Sequence, residues 1–207
     1  MDRKRSLYLV TALTFLRVPL VFLFFVGAVL HSLRHHQIPW LFHASLACLI
    51  LSALTDLLDG YAARRLKVVT RFGGYADPLV DKVFYLTTLP LLVFLAAMNA
   101  HIGHALTILC LTVLLLLRDQ WVSFLRSIGA GRNVDGKANW SGKLRTLVNF
   151  PLICAIYWFE ESGASAGLAV IVYIMEGVAL VVNFLSMYVY TRYYWPSLRA
   201  SLSLDEK

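Results

Sequence analysis

Charge is what this chain has least of. Only 15% of its 207 residues are Asp, Glu, Lys or Arg, and acids are the scarcer sign, 12 against 19 basic residues. A soluble domain carries about 25% charged residues. With 59% of the residues hydrophobic and a mean hydropathy of +0.68, there is too little polar surface to cover a soluble globule. The same shortage excludes disorder and a nucleic-acid-binding module, despite a pI of 9.5. Cysteine is sparse too. Cys48, Cys110 and Cys154 each lie in an apolar run without metal-ligand spacing. That excludes a disulfide scaffold and reads as small buried hydrophobes. Internal repeats and low-complexity linkers are missing, so residues 1–207 are expected to form a single domain.

What is present is apolar sequence in bilayer-length runs. Six candidate helices cover roughly Leu7–Leu30, Ile38–Leu58, Pro78–Ala97, Ala105–Val122, Leu147–Phe159 and Ala166–Val189. The runs do not alternate, which excludes a membrane β-barrel. The expected fold is an all-α integral membrane domain with six transmembrane helices. The fifth has the shortest purely apolar part and could extend back through Lys143. Met1-Asp-Arg-Lys-Arg5 precedes an apolar stretch too long for a signal peptide, with no small-residue cleavage site after it, so it reads as a retained first span.

The basic residues orient the chain. Eighteen of the nineteen fall at one end of the expected helices or in the connections there, leaving only Arg34 opposite. By the positive-inside rule the crowded face, with both termini, is cytoplasmic. A net charge of +7 then points to anionic membrane lipid as a partner, not nucleic acid. Trp40 and Trp158 suit one interface as aromatic anchors, and Trp121, Tyr193, Tyr194 and Trp195 the other. The six histidines lie mostly on the side away from the basic residues and are assigned no chemistry.

Four of the twelve acids are close together: Asp56, Asp59, Asp77 and Asp81. Spacings of three and four put each pair on one helical face. A short connection makes the second and third helices antiparallel neighbours, so the four carboxylates can converge at the membrane interface. Carboxylates there are costly and normally paired. Either Arg64, Arg65, Lys67, Arg71 and Lys82 neutralise them, or they hold divalent cations. Carboxylate-only ligation suits Mg²⁺ or Mn²⁺ and argues against zinc. Gly60, Gly73 and Gly74 bracket the acids, where a missing side chain lets a ligand or helix approach the backbone.

These residues follow D-x-x-D-G-x-x-A-R-x8-G-x3-D-x3-D at Asp56, Asp59, Gly60, Ala63, Arg64, Gly73, Asp77 and Asp81. The pattern resembles the signature of the CDP-alcohol phosphotransferases, also called CDP-alcohol phosphatidyltransferases. The resemblance implies a six-helix membrane core, usually dimeric. It implies cleavage of a CDP-linked donor, commonly CDP-diacylglycerol, with an acceptor hydroxyl attacking the β-phosphorus and CMP leaving. By the family pattern Asp56, Asp59 and Asp77 hold metal, two ions in all, and position the CDP moiety. Asp81 adds to the metal set and serves as general base. Gly60, Ala63 and Gly73 line the nucleotide pocket, and Arg64 meets the pyrophosphate.

Arg118-Asp-Gln-Trp-Val-Ser-Phe-Leu-Arg126 and Ser141-Gly-Lys-Leu-Arg-Thr146 resemble segments of the bacterial phosphatidylglycerophosphate synthases, whose acceptor is glycerol 3-phosphate. That resemblance implies an inner-membrane location with the site on the cytoplasmic side. An anionic, phosphorylated acceptor needs fixed cations. Arg118, Lys143 and Arg145 are the candidates, with Arg126 behind them. Thr14-Phe-Leu-Arg17 matches a T-x-x-R segment common near the start of these synthases. Thr11 replaces a frequent Asn, Ala76 a Leu and Asp119 a Glu, so inositol phosphate, serine and phosphatidylglycerol stay open as acceptors. Glu176, in the middle of the sixth helix, is a candidate functional or buried structural acid.

Two other readings fit less well. An intramembrane prenyltransferase needs a second Asp-rich motif, which does not follow Asp119. A cation transporter needs its carboxylate cluster near mid-membrane and two related halves, but the cluster lies at the interface and no repeat is visible.

Overall fold

Helix is the expected outcome for such a chain, because in lipid every backbone polar group must find its partner inside the segment. The computed structural model describes residues 3–34, 37–65, 71–131, 140–163 and 165–202. Within those helices the side chains of residues 3–7, 9, 57, 59–64, 71–75 and 141–143 lie outside the described set. Six α-helices follow in order: α1 (Arg3–Leu33), α2 (Pro39–Arg65), α3 (Arg71–Met98), α4 (Ile102–Ala130), α5 (Trp140–Ser162) and α6 (Ala166–Leu202).

Each helix overruns the apolar stretch that announced it. Five carry a segment long and apolar enough to cross a membrane; α5 does not. It runs back through Lys143 to Trp140 and carries Arg145, Asn149, Glu160 and Glu161, which dilute its hydropathy. Helix α3 starts at Arg71, well before Pro78, so Asp77 and Asp81 lie inside the helix instead of at its first turn.

The chain divides into two compact units. One comprises Met1–Ile108 with Ile153–Ala164; the other comprises Leu109–Leu152 with Ser165–Lys207. In the first, α1 packs against α2 and α3. Phe24 meets the Tyr157 ring edge-on at 5.0 Å, and Phe42 stacks on the same ring at 5.6 Å. Gly27 lies so close to the Ser45 hydroxyl that a Cβ there would collide with it. The close approach of α1 and α2 therefore depends on that missing side chain.

A polar cluster sits at the end of this unit where α1, α3 and α5 finish. Helix α3 ends in a Schellman turn: His101 N–H donates to Ala96 O at 2.9 Å and Ala100 N–H to Ala97 O at 3.1 Å. The turn puts Ala100 at φ 60°, in the left-handed region. It also brings the flanking side chains onto Glu160. Asn99 donates to the Glu160 carbonyl at 2.6 Å, while His101 and His104 meet the carboxylate through Nδ1 at 3.0 and 2.5 Å. His31 lies 3.8 Å from Glu161. Burial pushes the Glu160 carboxyl up, but its bonds to His104 and His101 outweigh that and leave it below its ordinary value. Burial dominates at Glu161 and pushes it up to about 7. The histidines thus tie three connections together, an arrangement that the scattered sequence positions did not disclose.

The second unit is organised by one stripe of α6. Val172, Glu176, Ala179, Asn183, Ser186, Tyr190, Tyr194 and Ser197 are buried at steps of three or four, the spacing of one helical face. Tyr190 and Tyr194 pack with Val122 and Leu125 of α4. Gly129 sits under the Tyr194 ring, where an added Cβ would fall 2.9 Å from Cδ1. Asn183 donates to Asn149 Oδ1 at 3.1 Å, and Glu176 is buried on the same stripe.

Two expectations are corrected here. Tyr194 is a core residue, not an interfacial anchor, because its step along α6 falls on the buried stripe; Trp121, Tyr193 and Trp195 are exposed as anchors should be. Cys110 is exposed on α4, not buried, while Cys48 and Cys154 are half-buried. A thiol is apolar enough to stand on a face shared with exposed Leu106, Leu109, Val113 and Leu117.

Candidate active site

The carboxylates occupy the part of the first unit where α2 ends and α3 begins. Asp56 lies one step beyond buried Thr55, whose hydroxyl donates to Ser52 O at 2.7 Å. Asp81 follows buried Val80, and Asp77 follows buried Ala76. Apolar neighbours on the core side leave the acids on the more open side: the Asp56 and Asp81 side chains are 22% and 45% exposed.

A single cation joins them. Arg17 projects from the middle of α1, with its side chain 1% exposed. Its Nη2 donates to Asp56 Oδ1 at 2.5 Å and its Nη1 to Asp81 Oδ1 at 2.6 Å. One planar guanidinium thus fixes carboxylates from two other helices, as its fork of donors permits. Asp77 is within electrostatic reach of both Arg17 and Asp56. Two acids of the expected cluster are thus brought onto one cation, and among the described residues no group of three or more acids, histidines or cysteines is close enough to hold a metal ion.

The remaining positions of the motif are placed only in part. Asp59, Gly60, Ala63 and Arg64 belong to the last turns of α2 and Gly73 to the first turn of α3. Their side chains lie outside the described residues, and Lys67 lies outside altogether. Of the cations expected to neutralise the acids, Arg64, Lys67 and Arg71 have side chains outside the described residues; among the described residues Arg17 donates to Asp56 and Asp81. Sequence reasoning saw Arg17 only as part of Thr14-Phe-Leu-Arg17. Its contacts span separations of 39 and 64 positions, which no local pattern displays.

A second polar constellation forms in the other unit. Arg118, 4% exposed on α4, donates through Nη2 to Ser186 Oγ at 2.5 Å and through Nη1 to Asp119 Oδ1 at 3.1 Å. Arg145 of α5 grips the same carboxylate with a fork, Nη1 to Oδ1 at 2.6 Å and Nη2 to Oδ2 at 2.8 Å. Arg126 donates to the Tyr190 hydroxyl at 3.0 Å. The guanidinium carbons of Arg118 and Arg126 lie 5.1 and 5.3 Å from the centroid of the Tyr190 ring. Of the four expected acceptor residues, Arg118, Arg126 and Arg145 are thus brought into one network, and the Lys143 side chain lies outside the described residues. Ser186 and Tyr190 went unnoticed in the sequence. Their signal is the three-and-four spacing that continues the stripe from Asn183.

The carboxylates of the first unit suit a charged ligand, and the buried arginines of the second suit an anion. A family model described as CDP-alcohol phosphatidyltransferase matches residues 7–188, and the chain belongs to that family. It is therefore a multi-pass membrane enzyme that transfers a phosphatidyl group from a CDP-linked lipid to an alcohol. Similar proteins include the CDP-diacylglycerol–glycerol-3-phosphate 3-phosphatidyltransferase of Pectobacterium atrosepticum. That protein is 31% identical over 191 residues, covering 87% of this chain and 91% of the relative. The Yersinia pestis (strain Pestoides F) protein of the same name is 30% identical over 160 residues, 75% of this chain and 82% of that one. A third, from Sodalis glossinidius, is 31% identical over 144 residues, 68% of this chain and 72% of the relative. No solved structure matches the chain.

Proposed function

We propose that this protein transfers the phosphatidyl group of CDP-diacylglycerol to glycerol 3-phosphate, forming phosphatidylglycerophosphate and releasing CMP. The observation that carries the acceptor choice is the Arg118–Asp119–Arg145 network with Arg126 beside it. Two guanidiniums share one carboxylate and a third, that of Arg126, stands beside them on Tyr190, so the network has cationic capacity beyond what Asp119 absorbs. Among the described residues, Nε of Arg118 and of Arg126 are buried without a hydrogen-bond partner. Such donors suit a phosphate better than a neutral alcohol. The names of the relatives support the same acceptor.

The carboxylate-only character of the Asp cluster fits a hard divalent cation. Asp56, Asp59, Asp77 and Asp81 would hold Mg²⁺ or Mn²⁺, two ions in the expected arrangement, supplying charge stabilisation to the phosphoryl oxygens. The chain's own residues do the rest. Gly60, Ala63 and Gly73 admit the nucleotide, and Arg64 meets the pyrophosphate. Arg17 holds Asp56 and Asp81 in fixed positions. Asp81 takes the proton of the acceptor hydroxyl, which must come within hydrogen-bond reach of it. The diacylglycerol tails stay in lipid while the nucleotide and acceptor arrive from the cytoplasmic side of an inner membrane, where a homodimer works.

The test is CMP release by purified protein given CDP-diacylglycerol, Mg²⁺ and one acceptor at a time. Release with glycerol 3-phosphate is expected. Release only with inositol phosphate, serine or phosphatidylglycerol would overturn the acceptor. Full activity in a chelator would overturn the metal.

A further inference from the structure

Binding an anion tightly with arginines poses a mechanical problem. Guanidiniums on long side chains repel one another, and each must be held before the ligand arrives if binding is not to be weakened by the cost of ordering them. Asp119 solves this for Arg145, whose fork it fills with two short bonds. It solves it only partly for Arg118, whose single contact to Asp119 is the longer one at 3.1 Å, and among the described residues Arg126 makes no carboxylate contact. Something else must hold those two.

Helix α6 supplies it. Ser186 Oγ accepts the second Nη of Arg118 at 2.5 Å. One helical turn on, Tyr190 is 2% exposed, and both guanidinium carbons stand within 5.3 Å of its ring centroid. The electron-rich face of an aromatic ring attracts a cation, more strongly where water is excluded. One ring can therefore hold two like charges that would otherwise drive each other apart. The phenol oxygen adds a bond to Arg126 at 3.0 Å. Neither residue neutralises a guanidinium, so neither takes away from the charge that Asp119 leaves available for a ligand. A carboxylate in the same place would orient them equally well and cancel what they are there to provide.

We propose that Ser186 and Tyr190 are positioning residues that set Arg118 and Arg126 for the phosphate of the acceptor, with the Tyr190 ring contributing more than its hydroxyl. This rests on the reading that those arginines bind the acceptor. A displacement of the reacting groups by an ångström is costly, so loosening the arginines raises the KM for the acceptor and leaves that for the lipid donor alone.

The experiment measures both KM values, with glycerol 3-phosphate and with CDP-diacylglycerol, together with thermal unfolding of the purified enzyme. Tyr190→Leu removes the ring and is expected to raise the glycerol 3-phosphate KM at least tenfold. Tyr190→Phe keeps the ring and recovers most of that, staying within about threefold of wild type on the cation–π scale. Ser186→Ala, a smaller change on the same buried stripe, raises it about threefold or more, near the low end of what one hydrogen bond contributes net. In all three the CDP-diacylglycerol KM holds within twofold. An unchanged acceptor KM in Ser186→Ala, an equal rise in both KM values in Tyr190→Leu, or Tyr190→Phe as impaired as Tyr190→Leu would each overturn the proposal. Arg118→Met is measured alongside: an unchanged acceptor KM there overturns the underlying reading of the arginines, whatever Tyr190 does.

Discussion

Arg17 and Asp81 stand 64 positions apart in the chain and meet at 2.6 Å. The guanidinium is buried, the carboxylate nearly half exposed. The cation thus belongs to the interior of α1 and the anion to the open side of α3, and the bond between them sets how the carboxylate is presented. Because Arg17 also holds Asp56, one side chain determines the spacing between the acids of α2 and α3.

Removing that guanidinium leaves two part-exposed carboxylates without the cation between them. Arg17→Met is expected to cost about 1–3 kcal/mol, less than for a wholly buried pair because both acids reach solvent. Turnover should fall with it, since the acids lose their common anchor. Thermal unfolding in detergent together with CMP release reads both. Wild-type values of both would remove Arg17 from the site.

Asp81→Asn keeps the shape of the side chain but not its basicity. If Asp81 takes the acceptor proton, turnover should drop on the order of 10²–10⁴-fold, the usual contribution of a general base. Unchanged turnover would exclude Asp81 from that role. Binding of CDP-diacylglycerol should weaken far less, which a direct titration can separate.

At the other end of this unit, Ala100 occupies the left-handed turn that follows α3. Such a conformation costs a residue with a Cβ about 1–2 kcal/mol, and glycine escapes it at the expense of a more flexible unfolded chain. Ala100→Gly is therefore expected to stabilise the protein by about 0.5–1 kcal/mol. A lower unfolding temperature in the variant would show that the turn is not strained in this way.

Glu161 yields a pH prediction. Its carboxyl is raised to about 7 from 4.5, chiefly by burial. The folded protein then holds a proton that the unfolded chain has released, so stability falls as pH rises from about 4.5 towards 7. Glu160, held below its ordinary value, acts in the opposite sense: its contribution is present above the ordinary carboxylate range and lost as pH falls through its folded value. The neighbouring Glu160 charge raises Glu161 further and a bond from Asn99 works against the shift, while His31 of α1 stands 3.8 Å away. Glu161→Gln should flatten the decline in unfolding temperature between pH 5 and 7, roughly the span of that shift. A variant with the wild-type slope would assign the decline elsewhere.

Much of this protein was legible before any coordinates. Scarce charge and continuous apolar runs demand membrane helices, since no other structure satisfies an unpaired backbone in lipid. The fixed gaps between Asp56, Asp59, Asp77 and Asp81 carry the resemblance to the family, and helical periodicity, a local property, places each pair on one face by itself. Arg118 and Arg145 are readable for the same reason: a cation next to an apolar helix is conspicuous when cations are few.

Tertiary structure alone decided the partners. That Arg17 joins Asp56 to Asp81 depends on how α1 packs against α2 and α3. That Tyr194 is core and Tyr193 is not depends on which face of α6 turns inward. That Glu160 and Glu161, adjacent in the chain, are displaced in opposite directions depends on which histidines reach each carboxylate. Sequence reports what a residue is and which face of its own helix it shares. Which residue of another helix comes to meet it is set by packing across tens of positions, and in this protein those meetings determine where the charges act.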